Sequence, residues 1–221
     1  MKLLGKEETV ELIKNFKGEF FYVKPEDFPD FSENFSEKVQ EVSYKIKKSE
    51  TGAILLMGEE NLLIIPPFPV EKTFRGGNDY FFELMKKKFT LGIILLRLGE
   101  YSLGIFKENK LVVHKTGTQF VEGKIKAGGQ SAARYARIRE GQINDFFKKV
   151  CFHVREKFEH YSIDYVFFGG DKQTVKSFLK NCEYLKKFRV MKRVLNVRHM
   201  KLKSLEDSLK EVWKFKVYSI E

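Results

Sequence analysis

The sequence predicts an α/β fold in which a mixed β-sheet is flanked by helices. Three observations lead to it. LGIILLRL (91–98), SLGIFK (102–107) and KLVVHK (110–115) are short β-type runs. The residues between them, Gly99-Glu100-Tyr101 and Glu108-Asn109, are of hairpin length, so the runs read as an antiparallel meander. Next, Tyr135, Ile138, Ile143, Phe146, Phe147, Val150, Val154 and Phe158 recur at three- and four-residue steps, the apolar spacing of one long helix. Finally, a strand (163–168), a helix (about 172–180), a strand (187–197), a helix (204–213) and a strand (214–220) follow in turn. β and α elements mixed in this way, without a long βα repeat, point to a mixed sheet.

The first 85 residues predict a smaller α+β portion. KEETVELIKNF (6–16) carries Val10, Leu12, Ile13 and Phe16 at helical spacing, and GEFFYV (18–23) is a strand stopped by Pro25. Residues 25–50 are polar and predict loop or weakly formed structure. TGAILLMG (51–58) and NLLIIPP (61–67) predict a hairpin about Glu59-Glu60, ended by Pro66, Pro67 and Pro69. Phe68 to Gly77 reads as a linker, and Asn78 is placed to cap a helix through Phe89. The expected division is an accessory portion over 1–85 and a catalytic-type domain over 86–221. Within the latter, Thr116 to Ala127 predicts a mobile loop. The long helix starts with Ser131 as its cap, and Gly141 interrupts it at a cost of ~1 kcal/mol.

Composition narrows the function classes. Hydrophobic residues make up 43% of the 221, enough for a buried core. No apolar run approaches the ~18 residues that span a bilayer. Met1-Lys-Leu-Leu-Gly-Lys passes straight into charged sequence without a signal-peptide core, which predicts a cytoplasmic protein. Lys and Arg number 41 against 30 Asp and Glu, a formal charge of +11. Such an excess favours a polyanionic partner through steering and counterion release. Nucleic acid fits better than membrane, because neither end carries a strongly amphipathic basic helix. The Lys- and Glu-rich composition also suits the ion-pair networks of a heat-adapted protein. Cys151 and Cys182 lack metal-ligand spacing and read as two separate reduced thiols, and with only four His no structural zinc site is expected.

The chemistry-bearing segment is Lys126-Ala-Gly-Gly-Gln-Ser-Ala-Ala-Arg-Tyr-Ala-Arg-Ile-Arg-Glu140. Gly128 and Gly129 open backbone angles closed to other residues and let the chain approach a ligand without side-chain bulk. Gln130 is no base at neutral pH, but it can orient a water or a leaving group, and its own N–H can face developing charge. The helix that starts beside it adds free N–H groups and a positive dipole end. Lys115, Lys124, Lys126, Ser131, Arg134, Arg137 and Arg139 are the candidate RNA contacts, with Arg134 and Arg137 on one helix face by their i,i+3 spacing. A basic, glycine-tipped loop on a long helix reads as a probe for a narrow RNA-walled site.

AGGQSAARYARIRE (127–140) resembles the central domain of the eukaryotic and archaeal class-I peptide release factors. There Gly-Gly-Gln is followed by Ser-Ala and a helix with an Arg-(Phe/Tyr)-Ala-Arg-x-Arg pattern, which bacterial release factors lack. Val166-Phe-Phe-Gly-Gly-Asp-Lys172 is similar to the strand and glycine turn that follow that helix in the family. The resemblance implies the release-factor central-domain fold, related to ribonuclease-H-like folds. It implies hydrolysis of the ester between nascent peptide and tRNA in the peptidyl transferase centre. Gly128 and Gly129 would shape the tip and Gln130 would position the attacking water, while the rRNA and the tRNA's terminal ribose supply much of the machinery. No metal or organic cofactor is implied.

A full class-I factor also has a codon-reading domain and a partner-binding domain. Residues 1–85 lack the codon-reading motif Asn-Ile-Lys-Ser, and the chain stops at 221. The architecture is more similar to the small stand-alone Vms-like release-factor group. That resemblance implies archaeal-type, stop-codon-independent peptide release on stalled ribosomes or large subunits, in rescue and quality control. The partners would be large-subunit rRNA and peptidyl-tRNA, with no DNA or membrane, and the factor a monomer. Two other classes stay open: a non-catalytic, Pelota-like rescue module, and a nuclease acting near the tRNA 3′ end with Glu140, Asp164 or Asp171 as metal ligands. His114 reads as a surface residue more than a base, and Phe146, Phe147, Phe167 and Phe168 as core.

Overall fold

A computed structural model describes residues 1–27, 30, 40, 49–123 and 130–220, with Gln130 described by its backbone alone. The chain separates into two compact units. The first comprises Met1–Lys87 and Lys210–Glu221, the second Lys88–Leu209.

The first unit is built on a six-stranded antiparallel sheet in the order β1-β11-β4-β3-β2-β5. Its strands are β1 (Lys2–Leu4), β2 (Gly18–Val23), β3 (Ala53–Gly58), β4 (Asn61–Ile65), β5 (Phe74–Gly76) and β11 (Phe215–Ile220). Side chains two apart share a face. Phe20 and Tyr22, Ile54 and Leu56, Leu62 and Ile64, and Phe215 and Val217 therefore join one cluster. Ile13 of α1 (Lys6–Asn15) and Phe81 of α2 (Asp79–Lys86) complete it. Ala53, Leu55, Leu63 and Ile220 face the other way and are also buried, which is why β3 and β4 read as continuous apolar runs rather than alternating ones.

The second unit carries the predicted mixed sheet, in the order β10-β9-β6-β7-β8. β6 (Thr90–Arg97), β7 (Glu100–Lys107) and β8 (Lys110–Thr118) form the antiparallel meander. Glu108 and Asn109 both have positive φ, the geometry of a two-residue hairpin turn. β9 (Tyr165–Gly170) and β10 (Val190–Leu195) run parallel to β6. α3 (Gln130–Phe158) has 29 residues, roughly 43 Å at the usual rise. Phe146, Phe147, Val150, Val154 and Phe158 of α3 are buried against Leu96, Tyr101, Leu103 and Ile105 of the sheet, with Val175 and Phe178 of α4 (Lys172–Asn181). Each such side chain contributes ~1.5–3 kcal/mol by leaving water. A 3₁₀ turn (Glu183–Lys187) precedes β10, and α5 (Leu202–Val212) leads into β11.

The turn from β9 into α4 shows why Gly170 and Asp171 stand where they do. Gly170 has φ +101°, and a Cβ there would lie 2.4 Å from the Leu96 carbonyl oxygen. Asp171 caps α4: its Oδ1 accepts from the Thr174 amide at 2.8 Å and from the Thr174 hydroxyl.

Several expectations need correction. Phe68–Gly77 is not all linker, since β5 pairs with β2. β1 has no counterpart in the sequence reading. Thr116–Thr118 continue β8 instead of starting a loop. The units meet at 87/88, two residues from the expected boundary, and 210–221 belong with the first unit because β11 pairs with β1 and β4. Cys151 and Cys182, read as separate thiols, form a disulfide between α3 and the end of α4. Their 31-residue separation along the chain hides that α3 and α4 lie side by side. Most of 25–50 lies outside the described residues.

Candidate functional site

α3 changes character along its length. Its C-terminal half is seated in the core of the second unit. Its first turns are not: Ser131, Ala133, Arg134, Tyr135, Ala136, Arg137, Ile138 and Glu140 are all exposed. Tyr135 (43%) and Ile138 (41%) belong to the helical apolar spacing, but the core ends before it reaches them. The helix therefore carries its first residues away from the packed body of its unit.

Electrostatics at this end run against helix stability. Acidic side chains in a first turn offset the positive dipole end. α1 follows that rule with Glu7 and Glu8. α3 has no acidic residue in its first turn and instead places Arg134, Arg137 and Arg139 within ten residues of its start. The N–H groups of a first turn, the dipole and the guanidinium groups all add positive potential, which disfavours the isolated helix and favours an anion placed before it.

The segment that precedes the Gly-Gly-Gln residues in the sequence is held by contacts to α3 and to the β6–β7 turn. Gln119 N–H donates to the Gly99 carbonyl at 2.8 Å. Lys149 Nζ donates to the Thr118 carbonyl at 3.1 Å. Glu122 N–H donates to Gln142 Oε1 at 2.8 Å, and Arg139 Nε donates to the Glu122 carbonyl at 2.8 Å. Val121 packs on the core. Close by, Tyr101 stacks on His153, and a Cβ at Gly117 would lie 2.5 Å from the Tyr101 hydroxyl, so only glycine fits over that ring. Burial pushes the Tyr101 phenol up from its ordinary value, with the nearby Glu156 charge adding to the rise. Glu156 accepts from Lys157 and from His153, and these hold its carboxyl down at about 2.

The candidate residues separate accordingly. Ser131, Arg134, Arg137 and Arg139 share α3, and Ser131 lies inside the helix, which starts at Gln130. Arg139 is half-buried and engaged with Glu122, unlike Arg134 and Arg137. Lys115 lies on β8 opposite Leu103, on a different element. Gly128, Gly129, Lys124 and Lys126 lie outside the described residues. Glu122, Gln142 and Lys149 were not singled out from the sequence. Their contacts join residues 17 to 31 apart through backbone groups, and the one sequence hint is the i,i+3 spacing of Arg139 and Gln142.

Two of the three residues considered for a nuclease, Asp164 and Asp171, have structural uses, and Glu140 is exposed on α3. Asp171 caps α4, and Asp164 Oδ2 accepts from the Thr90 amide at 2.7 Å. Among the described residues no group of three or more His, Cys, Asp or Glu is arranged to hold a metal ion. His114 is exposed on β8, and Phe146, Phe147, Phe167 and Phe168 are buried in the core as expected. No described helix is long and apolar enough to cross a membrane.

Comparison with known proteins agrees with the motif. Peptide chain release factor subunit 1 of Thermococcus sibiricus is 30% identical over 167 residues, 67% of this chain and 40% of that protein. The same factor of Methanopyrus kandleri is 32% identical over 153 residues, 62% of this chain and 37% of that protein. The chain thus spans less than half the length of these relatives. Among solved structures, archaeal translation termination factor aRF1 covers 95% of this chain and 70% of its own at 18% identity and a TM-score of 0.47. The Vms1 mitochondrial localization core covers 82% of both chains at 12% identity and a TM-score of 0.38. The model of the Actinobacteria/chloroflexi VLRF1 release factor family matches residues 89–218, from the first strand of the meander to the last strand of the chain. On that match the chain belongs to the VLRF1 release factor family, in keeping with the class-I-type resemblance carried by residues 127–140 and the Vms-like resemblance read from the architecture.

Proposed function

We propose that this protein releases the nascent peptide from peptidyl-tRNA on stalled ribosomes or large subunits, without reading a stop codon. The observation that carries the reading is the Gly-Gly-Gln-Ser-Ala segment at the exposed, cationic start of α3. In this mechanism α3 is a rigid rod anchored by Phe146, Phe147, Val150, Val154 and Phe158. It delivers Gln130 into the peptidyl transferase centre, and Arg134 and Arg137 meet rRNA or tRNA phosphates on the way. Gln130 positions the attacking water at the ester carbonyl through hydrogen bonds, and the RNA supplies the rest of the site. Membership of the release-factor family supports this reading. So does the first unit, whose residues 1–85 lack the Asn-Ile-Lys-Ser motif of codon reading.

The decisive test is puromycin-independent release from purified stalled large subunits carrying labelled peptidyl-tRNA. Wild type should release the peptide. Gln130→Ala should bind the subunits equally well and lose at least ~100-fold in release, the scale of removing one positioned polar group. Equal release by both proteins would sink the mechanism. Cleaved tRNA 3′ ends in place of free peptide would replace it with the nuclease reading.

A further inference from the structure

We propose that Arg139 and Gln142 are positioning residues that clamp the entering limb of the Gly-Gly-Gln loop to α3, and that Arg139 acts in this way instead of as an RNA contact. The proposal rests on the peptide-release reading above.

Both backbone polar groups of one residue, Glu122, are held by two side chains of the helix. Gln142 Oε1 receives its N–H and Arg139 Nε donates to its carbonyl, each at 2.8 Å. That is the optimum of the hydrogen-bond range, and the second bond is charge-assisted. Residues 139 and 142 can grip one point because three positions along a helix share a face. The bonds from Lys149 to the Thr118 carbonyl and from the Gln119 amide to the Gly99 carbonyl, with Val121 packed on the core, secure the limb just upstream.

Only residues 123–129 then separate the clamped residue, Glu122, from the first turn of the helix that holds it. Ordering one backbone residue costs ~1–2 kcal/mol. Holding both limbs of the loop on one helix limits that cost to the tip. A displacement of ~1 Å at a reacting centre lowers a rate by ~100-fold, so a limb anchored on the helix acts on the rate of the bound complex. Arg139 differs from its neighbours in this respect, since Arg134 and Arg137 are exposed and it is half-buried.

The test measures release against factor concentration, so that the maximal rate and the half-saturating concentration are read separately. Gln142→Leu and Arg139→Met should each lower the maximal rate by roughly tenfold or more and leave the half-saturating concentration within about twofold. Gln142→Glu keeps an oxygen acceptor for the Glu122 amide and should restore the rate, which a general loss of packing would not allow. Wild-type rates in both Gln142→Leu and Arg139→Met overturn the proposal. So does an Arg139→Met variant that binds more weakly and lowers the salt slope by about one, as a lost phosphate contact does. If the wild-type protein itself releases nothing, the release reading fails, and the clamp is judged by hydrogen exchange at the Glu122 amide. Exchange at least tenfold faster in Gln142→Leu supports the clamp, and unchanged exchange rejects it.

Discussion

Arg134, Arg137 and Arg139 look equivalent in the sequence, and the fold separates them. Arg134 and Arg137 are exposed on the outer part of α3, whereas Arg139 turns to the Glu122 carbonyl. A phosphate contact is read by counterion release, so Arg134→Ala and Arg137→Ala should each lower the slope of log binding constant against log salt by roughly one unit on large subunits. An unchanged slope would remove that residue from the RNA-facing set. Asp171 makes a prediction of a different kind. Hydrogen bonds from the Thr174 hydroxyl and amide hold its carboxyl below the usual carboxylate range. A depressed folded-state value contributes stability above the unfolded value of ~3.9 and loses it as pH falls through the folded value. Asp171→Ala should therefore cost about 1 kcal/mol near neutral pH, seen as a lower denaturant midpoint. Asp171→Asn should keep most of the cap and show a shallower acid-side loss.

At the scale of elements, what was legible followed the range of the interaction. β2, the β3–β4 hairpin, the meander and α3 depend on side-chain period and on turns a few residues long, and these were readable. β1 is three residues whose partners, Phe215 to Val217, stand at the far end of the chain, so no local pattern marks it. β5 likewise pairs with β2 from more than fifty residues away. The period of α3 was readable, but the point where its burial stops was not, because Tyr135 and Ile138 fit the spacing as well as Val150 does. The Gly-Gly-Gln segment was legible as a motif; the grip on Glu122 was not, because it uses backbone groups. Gly141 remains a local oddity of α3. A Cβ there would meet nothing within 4 Å. Gly141→Ala should stabilise the protein by ~0.5–1 kcal/mol and raise the melting temperature by about 1–4 °C, with peptide release unchanged. A lower melting temperature would contradict the open, exposed setting of Gly141 on α3.

Across the whole molecule, the disulfide and the shared sheet were the features the sequence hid. Cys151–Cys182 joins α3 to the end of α4 across 31 residues. In the chain-entropy account a closed loop of that length is worth about 3–4 kcal/mol. Thiol reduction, or a Cys151→Ser and Cys182→Ser double variant, should lower the denaturant midpoint of the second unit by a corresponding amount. Equal midpoints with and without reductant would mean that the pair does not stabilise the native state. The family match and the motif both fall mainly on the second unit, yet the match runs on into β11, a strand of the other sheet. The second unit is thus a complete α/β body inserted into the sequence of the first.

That insertion sets an order of events during synthesis. β11 lies between β1 and β4, so the five strands β1 to β5 must wait for β11 before their sheet has its full order. About 130 residues separate Lys87 from the end of β11, and at ~5–20 residues per second the wait is roughly 7–27 s. Through that interval the edges of β1 and β4 lack their common neighbour, while the long helix and its sheet are already free to form. All five strands of the second unit's sheet precede β11 in the sequence, so that sheet can be complete while the first unit's sheet still lacks a strand.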